Sequence, residues 1–314
     1  MEVVLLFPGQ GSQKPGMGKD LASAFPAAAA VFQEADSVLG ESLSTLCFEG
    51  PADTLTLTHN AQPALLAHGA AVWAVAGPAL RTKVRAAAGH SLGEFTAYCA
   101  AGALALRDAV RLVRRRGALM YEAGLARPGA MAAVLGDTNR SIEDICSEAS
   151  SSAEGGLVVP ANYNSPGQVV VSGEVAGVER AMELSKAAGA RRAIRLPVSG
   201  AFHSPLMETA RDAFGRALNE APLSDPSVPI YANVTAEPVT RAEDARGLLL
   251  DQLTAPVRWI EVVERMVRDF PGALFVEMGP GSVLAGLVKK IAPAADCVSC
   301  GAPADVESLL SRAA

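Results

Sequence analysis

Three short, mainly apolar runs, Val3–Phe7, Val84–Ala88 and Leu274–Met278, end at or beside glycine or proline and are too short for helices. They read as buried strands. Between and after them apolar residues recur every three or four positions, which predicts helices at Lys19–Leu39, Ala61–Val75, Arg107–Ala123, Leu206–Ala221 and Val257–Phe270. Asn60 is the expected cap of the second, and Pro63 falls in its first turn. Ser204 and Pro205 form a cap and first-position pair for the fourth. Thr240 and Glu243 read as a capping box for a helix running towards Gln252, Pro229–Asn233 as a strand, and Gly279-Pro280-Gly281-Ser282 as the opening of a helix over Val283–Ile291.

From about Ala126 to Pro197 the texture changes. Ala130–Leu135, Leu157–Asn162, Gln168–Ser172 and Arg192–Leu196 read as strands, and Ser141–Ser150 and Val175–Ala188 as helices. The order β-α-β-β-α-β is the ferredoxin-like split motif. Flanked by Pro128-Gly129 and Pro197, it predicts a small domain, residues 126–197, inserted into a larger one made of 1–125 and 198–314.

Candidate chemistry concentrates at Gly89-His90-Ser91-Leu92-Gly93, between the second apolar run and a helix from Glu94 to Ala101. Glycine-x-serine-x-glycine in a strand-to-helix setting is a nucleophile elbow. The alternative is a helix-capping serine between loop glycines. Arg116 shares the apolar face of its helix with Leu112, Val113, Leu119 and Met120, whereas Arg114 and Arg115 are expected to project away. An inward arginine must meet an anion, either a structural carboxylate or a substrate's. His203, in the loop before Ser204-Pro205, is either a satisfied structural histidine or the base for Ser91. His90 is expected to point away from the nucleophile, and His59 and His68 have no evident role.

Composition narrows the field. With 27 basic and 33 acidic residues, net charge −6 and pI near 5.4, the chain has no broad basic footprint for nucleic acid. It contains no run of about 18 uninterrupted apolar residues. Met1–Phe7 lacks a basic leader, so a cytoplasmic protein without a membrane partner is expected. Five isolated cysteines suit reduced thiols, and Cys297-Val-Ser-Cys300 lacks a second pair to complete a zinc site, so no metal is expected. The loop Pro8-Gly9-Gln10-Gly11-Ser12-Gln13 fits neither common phosphate-binding pattern.

Phe7-Pro8-Gly9-Gln10-Gly11-Ser12-Gln13, Asn60-Ala61-Gln62-Pro63-Ala64, Gly89–Glu94, Arg116-Gly117, Asn162–Gln168, Phe202-His203, Gln252-Leu253 with Pro256-Val257, and Glu277–Gly281 occur in an order that resembles the malonyl-CoA:acyl-carrier-protein transacylases of fatty-acid and polyketide synthesis. The resemblance spans nearly the whole chain. It implies an α/β fold, with an α/β-hydrolase-like large domain and an inserted ferredoxin-like small domain. It implies Ser91 as nucleophile, His203 as base, the amides of Gln10 and Leu92 as oxyanion hole, and Arg116 on the malonyl carboxylate. Gln62 would line the acyl pocket, the Gln252 carbonyl would orient His203, and Phe202 would exclude a C2 methyl; Asp251 is the acidic alternative to Gln252. Malonyl-CoA and an acyl carrier protein are the implied partners of a monomer needing no cofactor. A freestanding polyketide acyltransferase for another extender unit, a carrier-protein acyl hydrolase and a non-catalytic carrier binder are the competing readings.

Overall fold

The computed structural model describes every residue except Glu154, Ser199 and Ala314, and Ala313 by its backbone alone. The chain opens with β1 (Val3–Phe7), α1 (Lys19–Ala24), α2 (Pro26–Leu39), α3 (Leu43–Glu49), α4 (Ala52–Thr56), α5 (Thr58–Leu80), β2 (Val84–Gly89), α6 (Leu92–Ala100) and α7 (Leu106–Ala126). It continues through β3 (Gly129–Leu135), α8 (Ile142–Ser151), β4 (Val158–Ser165), β5 (Gln168–Glu174), α9 (Val175–Ala187) and β6 (Arg192–Arg195). A 3-10 turn at Pro205–Met207 leads into α10 (Glu208–Glu220), β7 (Ile230–Tyr231), β8 (Pro238–Val239), α11 (Ala242–Asp251) and α12 (Trp259–Asp269). The chain closes with β9 (Leu274–Met278), α13 (Val283–Ile291), β10 (Cys297–Cys300) and α14 (Pro303–Ala313).

This mixed α/β structure has two sheets. The first runs β10-β9-β1-β2-β7-β8, parallel except for the β7–β8 edge. Along β1, Val3, Leu5 and Phe7 enter one apolar cluster and Val4 and Leu6 another. Burial on both faces is why the strand reads as a continuous apolar run. β2 lies beside it, so its C-terminal end opens near the middle of the sheet, where parallel sheets place ligands. Helix α5 is long and apolar enough to cross a membrane, but most of it is buried in the protein and it serves as a core helix.

The second sheet, β4-β5-β3-β6, is antiparallel. Ala130, Ala132 and Val134 of β3 face α8 and α9, while Met131 faces the core beside the first sheet. Strand β4 gains a further rung outside its sheet: Tyr163 N donates to Val257 O at 2.9 Å and Val257 N to Ala161 O at 2.8 Å. His90, at the end of β2, meets Asn164 Oδ1 through Nε2 at 2.8 Å. These links fix β4 beside the mouth of β2.

Several expectations need correction. The helix expected over Lys19–Leu39 is two, broken at Phe25, because a residue before proline is driven out of the helical region. Asn60 is no cap: α5 begins two residues earlier, and the Asn60 side chain donates to Thr54 O and accepts from Arg114. Arg114 therefore does not project away; it is half-buried and also pairs with Glu41. Thr240 and Glu243 form no capping box. Helix α11 starts after Arg241, and Asp225 takes the free amide of Ala242 at 2.7 Å. Ser204 accepts from Leu206 N, but the segment it caps is the 3-10 turn rather than α10 itself. Asp251 pairs with Arg211 at 2.7 Å and takes no part at His203. Cys297 and Cys300 lie three apart on a strand, which sends their side chains to opposite faces, and all five cysteines are free.

Candidate active site

The turn from β2 into α6 brings three backbones together. A Cβ on Gly89 would lie 1.9 Å from the Gly93 carbonyl carbon, and one on Gly93 would lie 2.0 Å from Phe7 O, so neither position admits a side chain. Ser91 between them is held at φ 50° and ψ −106°, a strained conformation that the surroundings must enforce. Asn233 does so: its Oδ1 accepts from Ser91 N at 2.7 Å and its Nδ2 donates to Gly89 O at 2.7 Å.

Ser91 Oγ lies 2.8 Å from His203 Nε2, and His203 Nδ1 lies 2.8 Å from the main-chain oxygen of Gln252. A carbonyl only accepts, so Nδ1 carries the proton and Nε2 is left to receive one from the hydroxyl. Burial, reinforced by the charge of Arg116, pushes the imidazole down to about 3 and keeps it neutral.

Arg116 is buried, and Nη1 donates to Gln62 Oε1 at 2.9 Å. Its Nη2 is shared between Gln252 Oε1 at 2.7 Å and Ser91 Oγ at 3.1 Å, and Nε has no partner among the described residues. Burial lowers the guanidinium to about 10, which leaves it charged at neutral pH. Among the described residues no carboxylate lies within ion-pairing distance of it. A buried cation in direct contact with neutral groups alone is an incomplete pair.

A cavity of about 480 Å³ opens over Ser91, lined among others by Gln10, Gln62, Leu92, Arg116, Phe202 and His203. Leu92 is the first residue of α6, so its amide has no partner within the helix. Gln10 follows β1 in the adjoining loop, its side chain 3.4 Å from Thr58 Oγ1. His90 points away from the hydroxyl, to Asn164, and its ring leans on Trp259. The residues expected around Ser91 thus line one cavity or, for Gln252, hold its histidine.

Sequence reasoning missed Asn233 and the side chains of Glu94 and Gln252. Glu94 carried a usable signal: it is the only charged residue in the nine of α6. Asn233 carried none, because its partners are far away in the chain.

The chain matches the model of the acyl transferase domain over residues 4–303. A malonyl CoA-acyl carrier protein transacylase of Bacillus subtilis is 45% identical over 306 residues, covering 98% of this chain and 95% of that one. The transacylase of Escherichia coli K12 is 44% identical over 92% of this chain and 93% of its own. The solved acyl-carrier-protein S-malonyltransferase of Bartonella henselae superposes with a TM-score of 0.94 at 44% identity, over 100% of this chain and 99% of that one. A type II polyketide acyl carrier protein in complex with its malonyl transacylase gives 0.92 at 41%, over 99% and 100%.

Proposed function

The chain belongs to the acyl transferase domain family, and on that premise we infer that it moves a malonyl group from malonyl-CoA to the phosphopantetheine thiol of an acyl carrier protein, through an ester on Ser91. The observation that carries this reading is Arg116. It is a buried guanidinium that no carboxylate of the described residues contacts, 3.1 Å from the nucleophile's oxygen. A malonyl group attached at Ser91 presents its free carboxylate within reach of it. A hydrolase for simple acyl chains has no use for such a cation.

The reaction runs in two halves. His203 Nε2 takes the Ser91 proton as Oγ attacks the thioester carbon, and the amides of Gln10 and Leu92 receive the negative oxygen. The carbon–sulfur bond then breaks, and the proton on Nε2 passes to the CoA sulfur. In the second half the carrier's thiol gives its proton to His203 and attacks the ester, and Ser91 leaves with that proton. A main-chain carbonyl suffices to orient the histidine, since a thiolate leaves more readily than an amine. Thioester chemistry of this kind calls for no metal or cofactor.

The first sheet with its helices is read as an α/β-hydrolase-like large domain, 1–125 and 198–314, and the second as a ferredoxin-like small domain, 126–197; the two separate sheets support the division. A monomer acting in the cytoplasm, on neither nucleic acid nor membrane, belongs to the same reading. Carrier docking is assigned to Lys289 and Lys290 with Arg191 and Arg192. Lys290 Nζ donates to Gln168 Oε1 at 3.3 Å, Gln168 pairs with Leu135, and Leu135 pairs with Arg192, so both basic pairs lie at one end of the second sheet.

Replacing Arg116 by alanine tests the central observation. Loss of a buried charge-assisted pair costs about 2–5 kcal/mol, so malonyl transfer should fall by roughly thirtyfold or more. Acetyl transfer should hold or improve, because acetyl-CoA has no carboxylate to lose. Equal losses for both substrates would make the arginine a structural residue and remove the basis for malonyl selection.

A further inference from the structure

Of the buried acids that the transfer steps leave unused, Glu94 is the one beside Arg116. Glu94 is 1% exposed in the first turn of α6. Its Oε2 accepts from Asn233 N at 3.1 Å and from Gln252 Nε2 at 2.7 Å, while Oε1 is buried with no partner among the described residues. Gln252 stands between this carboxylate and Arg116. A carboxylate only accepts, so it draws the amide's donor end to itself and turns Oε1 towards the guanidinium, 2.7 Å from Nη2. The main-chain oxygen of the same Gln252 holds His203 Nδ1. Glu94 thereby sets the residue that steadies both the arginine and the histidine. It also supplies the negative charge nearest to Arg116, at one side chain's remove.

Arrival of a malonyl carboxylate upsets this balance. Two carboxylates around one guanidinium leave a net negative charge in a buried site, and such a site relieves it by protonating one of them. The substrate carboxylate would touch the guanidinium directly, whereas Glu94 does so only through Gln252 and has one oxygen without a donor. Glu94 is the group that yields. The charged and titratable groups around it are Arg116 from α7, Tyr98 on its own helix with Asp244 of α11 beyond, and His203 and His90 beside the nucleophile. Burial already pushes the Glu94 carboxyl up to about 7, against the hydrogen bonds of Gln252 and Asn233 and the charge of Arg116.

We propose that Glu94 is a positioning residue that balances Arg116 in the empty site and takes a proton from solvent when a malonyl group is seated, coupling acceptance of the carboxylated acyl group to its own protonation. The proposal rests on the malonyl-transfer reading above. Mixing the enzyme with malonyl-CoA in weakly buffered solution containing a pH indicator, at about pH 7.5, should show uptake of up to one proton per ester formed on Ser91. Acetyl-CoA releases the same thiol and should show none. The rate constant for acylation by malonyl-CoA should fall up to about tenfold per pH unit above pH 7 in the wild type and stay flat in Glu94→Gln, which keeps the shape and removes the titration. Equal proton counts for malonyl and acetyl esters in the wild type would overturn the proposal, whatever the variant does. Absence of any malonyl ester on Ser91 would instead overturn the transfer reading.

Discussion

Ser91 and His203 meet at 2.8 Å, and each has a positive φ, at 50° and 57°. Such strain persists where neighbours over-determine it, as Asn233 does around Ser91. Phe202 precedes the histidine, is buried, and lines the cavity that holds Ser91. We propose that its ring excludes a C2 methyl on the acyl group. Excluding one methyl by sterics is worth about 1–3 kcal/mol, so malonyl-CoA should be preferred over methylmalonyl-CoA by roughly 10–200-fold, and Phe202→Ser should erode that ratio. Competition between the two thioesters measures it, and an unchanged ratio would show that Phe202 is not the gate. At this scale the sequence was informative where a residue contradicted its surroundings. Arg116 stood out against Leu112, Val113, Leu119 and Met120 on one helix face; Arg114 carried no such contrast, and its partners Glu41 and Asn60 arrive from the turn after α2 and from α5.

Elements were legible wherever period and length agreed. β1, β2 and β9 are short, mainly apolar strands, buried throughout except at Arg85 of β2, and α7 shows its apolar stripe over its whole length. Their ends were harder, because caps come from wherever the fold places an acceptor: Asp225 caps α11 from 17 residues away, and the local Thr240–Glu243 pair does not. The last turn of α13 carries Lys289 and Lys290 in the open, and Arg191 and Arg192 are exposed at the start of β6. Reversing both lysines to glutamate should raise the apparent KM for the carrier protein several-fold at low salt and less at high salt, since exposed charges are screened. Acylation of Ser91 by malonyl-CoA should be untouched. Carrier kinetics unchanged at low salt would move docking to another face.

Over the whole molecule, the cavity exists because two sheets are held at a fixed relation. The His90–Asn164 contact joins residues 74 apart, and Ser91 N reaches Asn233 across 142. No local pattern signals links of that length, so the elbow could be read from its glycines while the asparagine that holds it could not. The net charge of −6 repels any acidic partner except where the exposed Lys289, Lys290, Arg191 and Arg192 meet it. All of this converges on one chemical claim, that the acyl group pauses on Ser91 between two thiols. The most direct measurement is intact-mass analysis with peptide mapping after mixing with malonyl-CoA, followed by addition of holo acyl carrier protein. A single malonyl adduct on the peptide containing Ser91, absent from Ser91→Ala and discharged onto the carrier, is the expected result. A wild-type enzyme that passes malonyl to the carrier without ever holding it, or a Ser91→Ala enzyme that still becomes acylated and transfers, would contradict it.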